Sequence, residues 1–383
     1  MTYATFNQDA TCLAVASNQG YGVFNCSPFG QSYKTKESAI GQVEMLFSTS
    51  LVVLVCQGEH AAASPRKIKI VNTKRNATIC ELTYPTSVLK VRMNRERLIV
   101  VLEDQIYIYN ISNMKLLQAL KTPLNRYGIA DLSSTGDASI LAYPSGSPAT
   151  HTLAATTKPV PSTEVTLYDC TNMAPLNVVK AHKSPLAVLK LSHDGTMLAS
   201  ASEKGTIVRV FAVPSGTLLH QFRRGTYPSR IFSIAFNSPS TLLALSSATS
   251  TVHIYRLKES SSTTNTEDSL ELSPDSSSTS PPPHVETSQT QEPEKKKGYA
   301  ASLRRKVDRA QKMLPSAVSD MWESNTRDFA WFKIPGGSSG LSIVAFPQLP
   351  NLIYVATSSG SFCHYAINME KGGECSRVAE YTV

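Results

Sequence analysis

Two adjacent arginines, Arg223 and Arg224, end a stretch that reads as a β-strand, LHQFRRGTY, and Gly225 follows them. Side chains alternate across a strand, so the two guanidinium groups must point to opposite faces. Upstream, LASASEKGTIVRVF (198–211) supplies Ser200 and Ser202 on one strand face, with Thr206 and Arg209 beyond the turn. Downstream, SSATSTVHIY (246–255) supplies Ser247, Thr251 and His253, the last two again sharing a face. Each arginine is thereby set toward hydroxyls from its own neighbouring segment. A guanidinium fork grips phosphate bidentately, and Ser and Thr donate single hydrogen bonds. None of these groups brings a competing negative charge. Such a set suits a phosphate monoester on a hydroxyl-bearing ring. Gly225 is expected to let the backbone turn tightly beside the ligand. The competing reading is a solvated strand end with no ligand.

The elements that would hold these residues repeat along the chain. LAVLKLSHDGTMLASASEKGTIVRVFAV (186–213), IFSIAFNSPSTLLALSSATSTVHIYRL (231–257) and LSIVAFPQLPNLIYVATSSGSFCHYAI (341–367) share one pattern. It is an alternating strand, a polar turn, a small-and-apolar strand, a second turn and a β-branched or aromatic strand. A fourth strand often follows, as in KLLQALKT. Four short strands recurring at intervals of about forty residues predict β-propeller blades. Seven fit: 3–35, 38–86, 87–123, 127–182, 184–227, 229–339 and 340–383. The expectation is therefore an all-β, seven-bladed WD40-like β-propeller occupying 1–383 as a single domain. Blade 4 carries a Pro/Ala/Thr-rich insertion around 145–162. Blade 7 is expected to own all four of its strands.

Composition bounds the partners. The 383 residues are 41% hydrophobic and 17% charged, with a net charge of +8, which favours an anionic partner. Seven cysteines are scattered without CxxC pairing, which argues against disulfides and structural zinc. No secretory leader is expected from Met1–Asn7, and SLVVLVC (50–56), the longest apolar run, is far too short to span a bilayer. Membrane contact would be peripheral.

One long insertion interrupts blade 6 between its third and fourth strands, over 258–327. Residues 258–294, including SPDSSSTSPPPH, are rich in Ser, Thr and Pro and are expected to be disordered, having too little apolar surface to offset ordering entropy. Residues 295–322, KKKGYAASLRRKVDRAQKMLPSAVSDMW, place Tyr299, Leu303, Val307 and Leu314 at helical spacing, with Val318, Met321 and Trp322 beyond Pro315. Lys295–Lys297, Arg304–Lys306, Arg309 and Lys312 supply the charge. A basic amphipathic segment of this kind reads as a membrane-surface element; docking on the propeller flank is the alternative.

The stretch QFRRGT between two blades resembles the FRRG motif of the PROPPINs, WIPI-like seven-bladed propellers that bind polyphosphoinositides in autophagy. The resemblance continues through EMLFSTSLVVLV (44–55), ICELTYPTSVLKVRMNRERLIVVLEDQIYIYNISNMKLL (79–117), LASASEKGTIVRVF and LPSAVSDMW (314–322). It implies two headgroup recesses for phosphatidylinositol 3-phosphate and phosphatidylinositol 3,5-bisphosphate. His182, Ser200, Ser202, Thr206, Arg209 and Arg223 would form the first. Arg224, Gly225, Ser247, Thr251 and His253 would form the second. Ser250 stands where the family often has Gly, which bears on the geometry of the second turn. Protonation of His182 and His253 near pH 6.5 is expected to strengthen phosphate binding. The resemblance also implies cytoplasmic recruitment to preautophagosomal, endosomal and vacuolar or lysosomal membranes. It further implies a bridge-like lipid-transfer protein as partner, with blades 2 and 3 and the loop 57–67 as its docking side.

No Walker loop, Ser/His/Asp arrangement or carboxylate pair stands out, so no enzyme, cofactor or metal is expected. A propeller that binds only proteins is the alternative. A nucleic-acid binder is disfavoured, because the basic run has only Tyr299 and Trp322 for base stacking.

Overall fold

Each repeat folds into strands, and in blade 2 the second is the most fully buried and the fourth the most exposed. Leu51–Cys56, a second strand, is an unbroken apolar run covered on both faces, as a central strand requires. In the third strand of the same blade, Lys67–Asn72, Ile68 and Ile70 are buried while Lys67 and Lys69 between them are only half-buried. The fourth, Ala77–Thr83, is mostly exposed. The computed structural model describes residues 2–36, 39–58, 63–135, 139–146, 162–257, 327–335 and 340–383. The 145–162 insertion of blade 4 and the loop 57–67 are therefore described only at their edges. The expectations for 258–294 and 295–322, with Tyr299, Leu303, Val307, Leu314, Val318, Met321 and Trp322, lie outside the described residues.

Seven antiparallel sheets follow one another along the chain, and each pairs its strands in sequence order. Blade 7 takes all four main strands from the C-terminal segment, ending in Ser376–Thr382, as expected. A two-residue strand, Gly373–Glu374, departs from the simple pattern. It leaves blade 7 and pairs in parallel with Ala330–Lys333, giving blade 6 a fifth strand.

Apolar clusters join neighbouring blades in turn. Val208, Phe222, Leu245 and Tyr255 join blades 5 and 6. Leu13 and Cys26 meet Tyr354 and Phe362 where blade 1 closes on blade 7. The inner strands surround a cavity of about 350 Å³. On its wall Arg92 bridges Glu44 at 3.0 Å and Asp131 at 3.2 Å, and Lys190 reaches Asp131 at 3.2 Å. These ion pairs tie blades 2 to 5 together. Arg92 is half-buried between two buried carboxylates, so removing it would leave both with a charge to be compensated elsewhere.

Candidate anion-binding rim

The first recess is built on blade 5. Its second strand is Met197–Ser202, its third Ile207–Ala212 and its fourth Leu218–Arg223. Pairing sets Ser200 opposite Arg209, Arg209 opposite Gln221, and Ile207 opposite Arg223. Because Gln221 and Arg223 are two apart on one strand, they share a face with Arg209. Arg209 Nη1 donates to Ala181 O at 2.8 Å and to His182 Nδ1 at 3.2 Å, and Arg209 Nε donates to Gln221 Oε1 at 2.7 Å. His182 Nε2 lies 3.0 Å from Ser200 Oγ.

These bonds fix the tautomer. A guanidinium can only donate, so His182 Nδ1 is the acceptor and the ring proton sits on Nε2, pointing at Ser200. Burial, helped by the Arg209 charge, pushes the His182 pKa down to about 4. The expected protonation of His182 near pH 6.5 is therefore corrected: burial and the neighbouring Arg209 hold this ring neutral.

Arg209, Thr206 and His182 are half-buried and Arg223 is exposed. The Arg223 side chain makes no hydrogen bond or ion pair with another described residue. Ser200 is fully buried and Ser202 nearly so, placing them behind the imidazole rather than at the mouth. Thr206 precedes its strand and stands in the turn, so strand alternation does not fix which way it faces relative to Arg209. Gln221 escaped the reading of residue types; its place opposite Arg209 could have been found from strand register alone.

The second recess differs. Blade 6 presents Leu242–Ser247 and Thr251–Arg256, followed after the insertion by Ala330–Lys333. Thr251 and His253 are half-buried, while Ser247 is buried with its hydroxyl 2.9 Å from Thr249 Oγ1. His253 Nδ1 lies 2.7 Å from Asp328 Oδ2. A carboxylate thus enters the site that residue types alone described as free of negative charge. Ser250 takes the left-handed conformation, φ 57°, as a glycine would. The turn is kept despite the substitution. Lys333, exposed and opposite Thr251, occupies the register position that Arg223 holds in blade 5.

Arg224 and Gly225 also need correction. Arg224 is only 8% exposed: its Nε donates to Gly205 O at 2.6 Å and its Nη2 to Tyr227 O. The two arginines do diverge, but Arg224 is committed to the backbone carbonyls of Gly205, in the turn before Ile207–Ala212, and of Tyr227, and leaves Thr251 and His253 to the second recess. Gly225 has no positive φ and open space where a Cβ would stand, so no backbone constraint demands glycine there. The demanding glycine is Gly205, at φ +59°, where a Cβ would lie 1.9 Å from Ser229 O.

The fold is a β-propeller that presents the exposed cations Arg223 and Lys333 beside half-buried threonine and histidine side chains on two successive blades. The PROPPIN family model matches residues 1–274, and the chain belongs to that family, whose members are non-enzymatic propellers. It is similar to autophagy-related protein 18 of Yarrowia lipolytica, 43% identical over 100% of this chain and 96% of the relative. It is equally similar to autophagy-related protein 18 of Aspergillus terreus, 43% identical over the full length of both. Among solved structures, the complex of KlAtg21 with the coiled coil of AgAtg16 matches with a TM-score of 0.72 and 31% identity, covering 99% of this chain and 98% of that one. Kluyveromyces lactis Hsv2 matches in fold, with a TM-score of 0.68 and 16% identity over 99% and 98% of the two chains.

Proposed function

We propose that this protein is a peripheral membrane effector that reads 3-phosphorylated inositol lipids, phosphatidylinositol 3-phosphate and phosphatidylinositol 3,5-bisphosphate, at the rim of blades 5 and 6. The observation that carries this reading is the bonded set Ala181–His182–Arg209–Gln221, with Arg223, whose side chain bonds no other described residue, on the same strand face. The guanidinium of Arg209 is held in place before a ligand arrives, so little ordering entropy opposes binding. Arg223 keeps all its donors for a phosphate. Each charge-assisted bond contributes roughly 1.5–3 kcal/mol before costs, which makes one recess a weak site. Two recesses on one rigid body reach roughly 10²-fold tighter through avidity.

The likeness to autophagy-related protein 18 supports action at preautophagosomal, endosomal and vacuolar membranes, with recruitment of partner proteins there. A bridge-like lipid-transfer protein is the partner that family resemblance suggests, and the KlAtg21 complex supports coiled-coil partners as well.

Flotation with phosphatidylcholine vesicles, with and without 3-phosphorylated lipid, tests the proposal using wild type and the double variant Arg209→Ala/Arg223→Thr. Wild type should float only with the phosphorylated lipid, and the double variant should remain in solution. Binding indifferent to that lipid, or unaffected by the double change, rejects it in favour of a protein-only scaffold.

A further inference from the structure

The turn after the twin arginines is braced from three directions. Arg224 spans Gly205 O and Tyr227 O. The amide of Ser229 donates to Lys204 O at 3.1 Å, and Ser229 O packs directly against Gly205. On this fixed backbone Tyr227 is 84% exposed, with Pro228 exposed beside it. Backbone bonds make the surroundings continuous: Glu203 N to Pro185 O at 2.9 Å, and Ala248 N to Arg230 O at 2.9 Å. The exposed charges on these segments are Lys183, Lys204, Arg223 and Arg230, against the single carboxylate of Glu203.

We propose that Tyr227 is an interfacial anchor that inserts its ring into the headgroup layer of an anionic phospholipid bilayer, alongside the first headgroup recess. The proposal rests on the lipid-reading function above and adds to it a contact that needs no phosphoinositide. A tyrosine ring is suited to this boundary, its body apolar and its hydroxyl wet. A lone exposed aromatic is ordinary on a protein surface. Here the ring is lifted by a turn that a buried arginine stiffens, so immobilising it on a membrane costs little. The surrounding cations complement an anionic leaflet, each strengthening attachment by about fivefold. Arg224 acts through this turn as its positioning residue.

The test uses the full chain with Tyr227→Ala and Arg230→Glu. Vesicles of phosphatidylcholine and phosphatidylserine, with and without phosphatidylinositol 3-phosphate, are compared with soluble inositol 1,3-bisphosphate measured by calorimetry. In a Cys80→Ser background, Tyr227→Cys carries an environment-sensitive fluorophore; the other six cysteines are buried. Tyr227→Ala should weaken vesicle binding about five- to tenfold, consistent with partial burial of one aromatic ring. Its affinity for the soluble headgroup should stay at the wild-type value, and the fluorophore should shift to the blue on vesicles. Arg230→Glu should weaken vesicle binding at least as much. Unchanged vesicle binding by Tyr227→Ala overturns the proposal, as does weakened binding without the blue shift, which would mean that the ring acts without entering the lipid. Either result leaves the headgroup reading intact if wild type binds the soluble headgroup. If it does not, that reading fails, and the phosphatidylserine vesicles alone decide the role of the turn.

Discussion

The recesses on blades 5 and 6 descend from the same strand pattern yet are wired in opposite senses. In the first, an arginine donates to a histidine, the ring stays neutral, and among the described residues no carboxylate is hydrogen-bonded to the set. In the second, the histidine faces the carboxylate of Asp328 through the same ring nitrogen. His182 therefore offers its Nδ1 lone pair to a cation, while His253 turns its Nδ1–H toward an anion. Two sites alike in residue type are unlike in the charge they present. The first is organised and cationic; the second is partly neutralised before any ligand arrives. The histidines hold different places: His253 takes the third-strand position that Arg209 holds in blade 5, whereas His182 precedes the first strand, Leu186–Leu191, so the two recesses are assembled from different blade positions.

The largest separation should come from removing one histidine partner at a time. Arg209→Ala should weaken vesicle binding by about 100-fold, since it deletes a cation and releases His182 and Gln221 from their places. His253→Ala should cost about tenfold, because its contribution is already shared with Asp328. Equal losses in a flotation titration would mean that the wiring difference has no bearing on affinity.

A smaller effect distinguishes the histidines by pH. An unfolded histidine takes up its proton near pH 6.5, whereas His182 in the fold does so only near 4. Between those values the unfolded chain binds more protons, so stability falls as pH drops through this window and is unaffected above pH 7. The loss from His182 should reach about 2 kcal/mol by pH 4.5. Melting temperatures followed from pH 7 to 4.5 should decline less steeply in His182→Asn than in wild type.

The smallest change sharpens the comparison from the other side. Asp328→Asn removes the carboxylate from the second recess and should tighten vesicle binding by about fivefold, or about 1 kcal/mol for a partly exposed charge. Weaker binding would show that Asp328 holds His253 in its productive orientation, and that this outweighs repulsion of the phosphate.

Much of the fold was legible because a propeller is written in local periods. Ile68 and Ile70 alternate with lysines, and Leu51–Cys56 reads as a strand buried on both faces. The divergence of Arg223 and Arg224 also follows from strand alternation. Its consequence did not: the partners of Arg224 are carbonyls of Gly205 and Tyr227, and a carbonyl carries no signature in a one-letter code. Asp328 stands 75 residues beyond His253, across the whole insertion, so only the pairing of Thr251–Arg256 with Ala330–Lys333 brings the two together. Ser200 and Ser247 have the right hydroxyls, but depth within the sheet is set by neighbouring blades and not by residue type. The strand Gly373–Glu374 is too short for any period to reveal.

That short strand has a wider consequence. Arg256 caps the ring of Phe329 at 3.9 Å, Phe329 N bonds Ile254 O at 2.7 Å, and Gly373 N and Cys375 N bond Phe329 O and Trp331 O. The chain thus departs after Leu257 and returns at Arg327 through a clamped doorway between two paired strands. Doubling the length of a segment joined at that doorway changes its closure entropy by only about 0.6 kcal/mol. Blade 6 can therefore accept insertions of different length at this point while the strands that carry Arg223, Thr251 and His253 stay as they are.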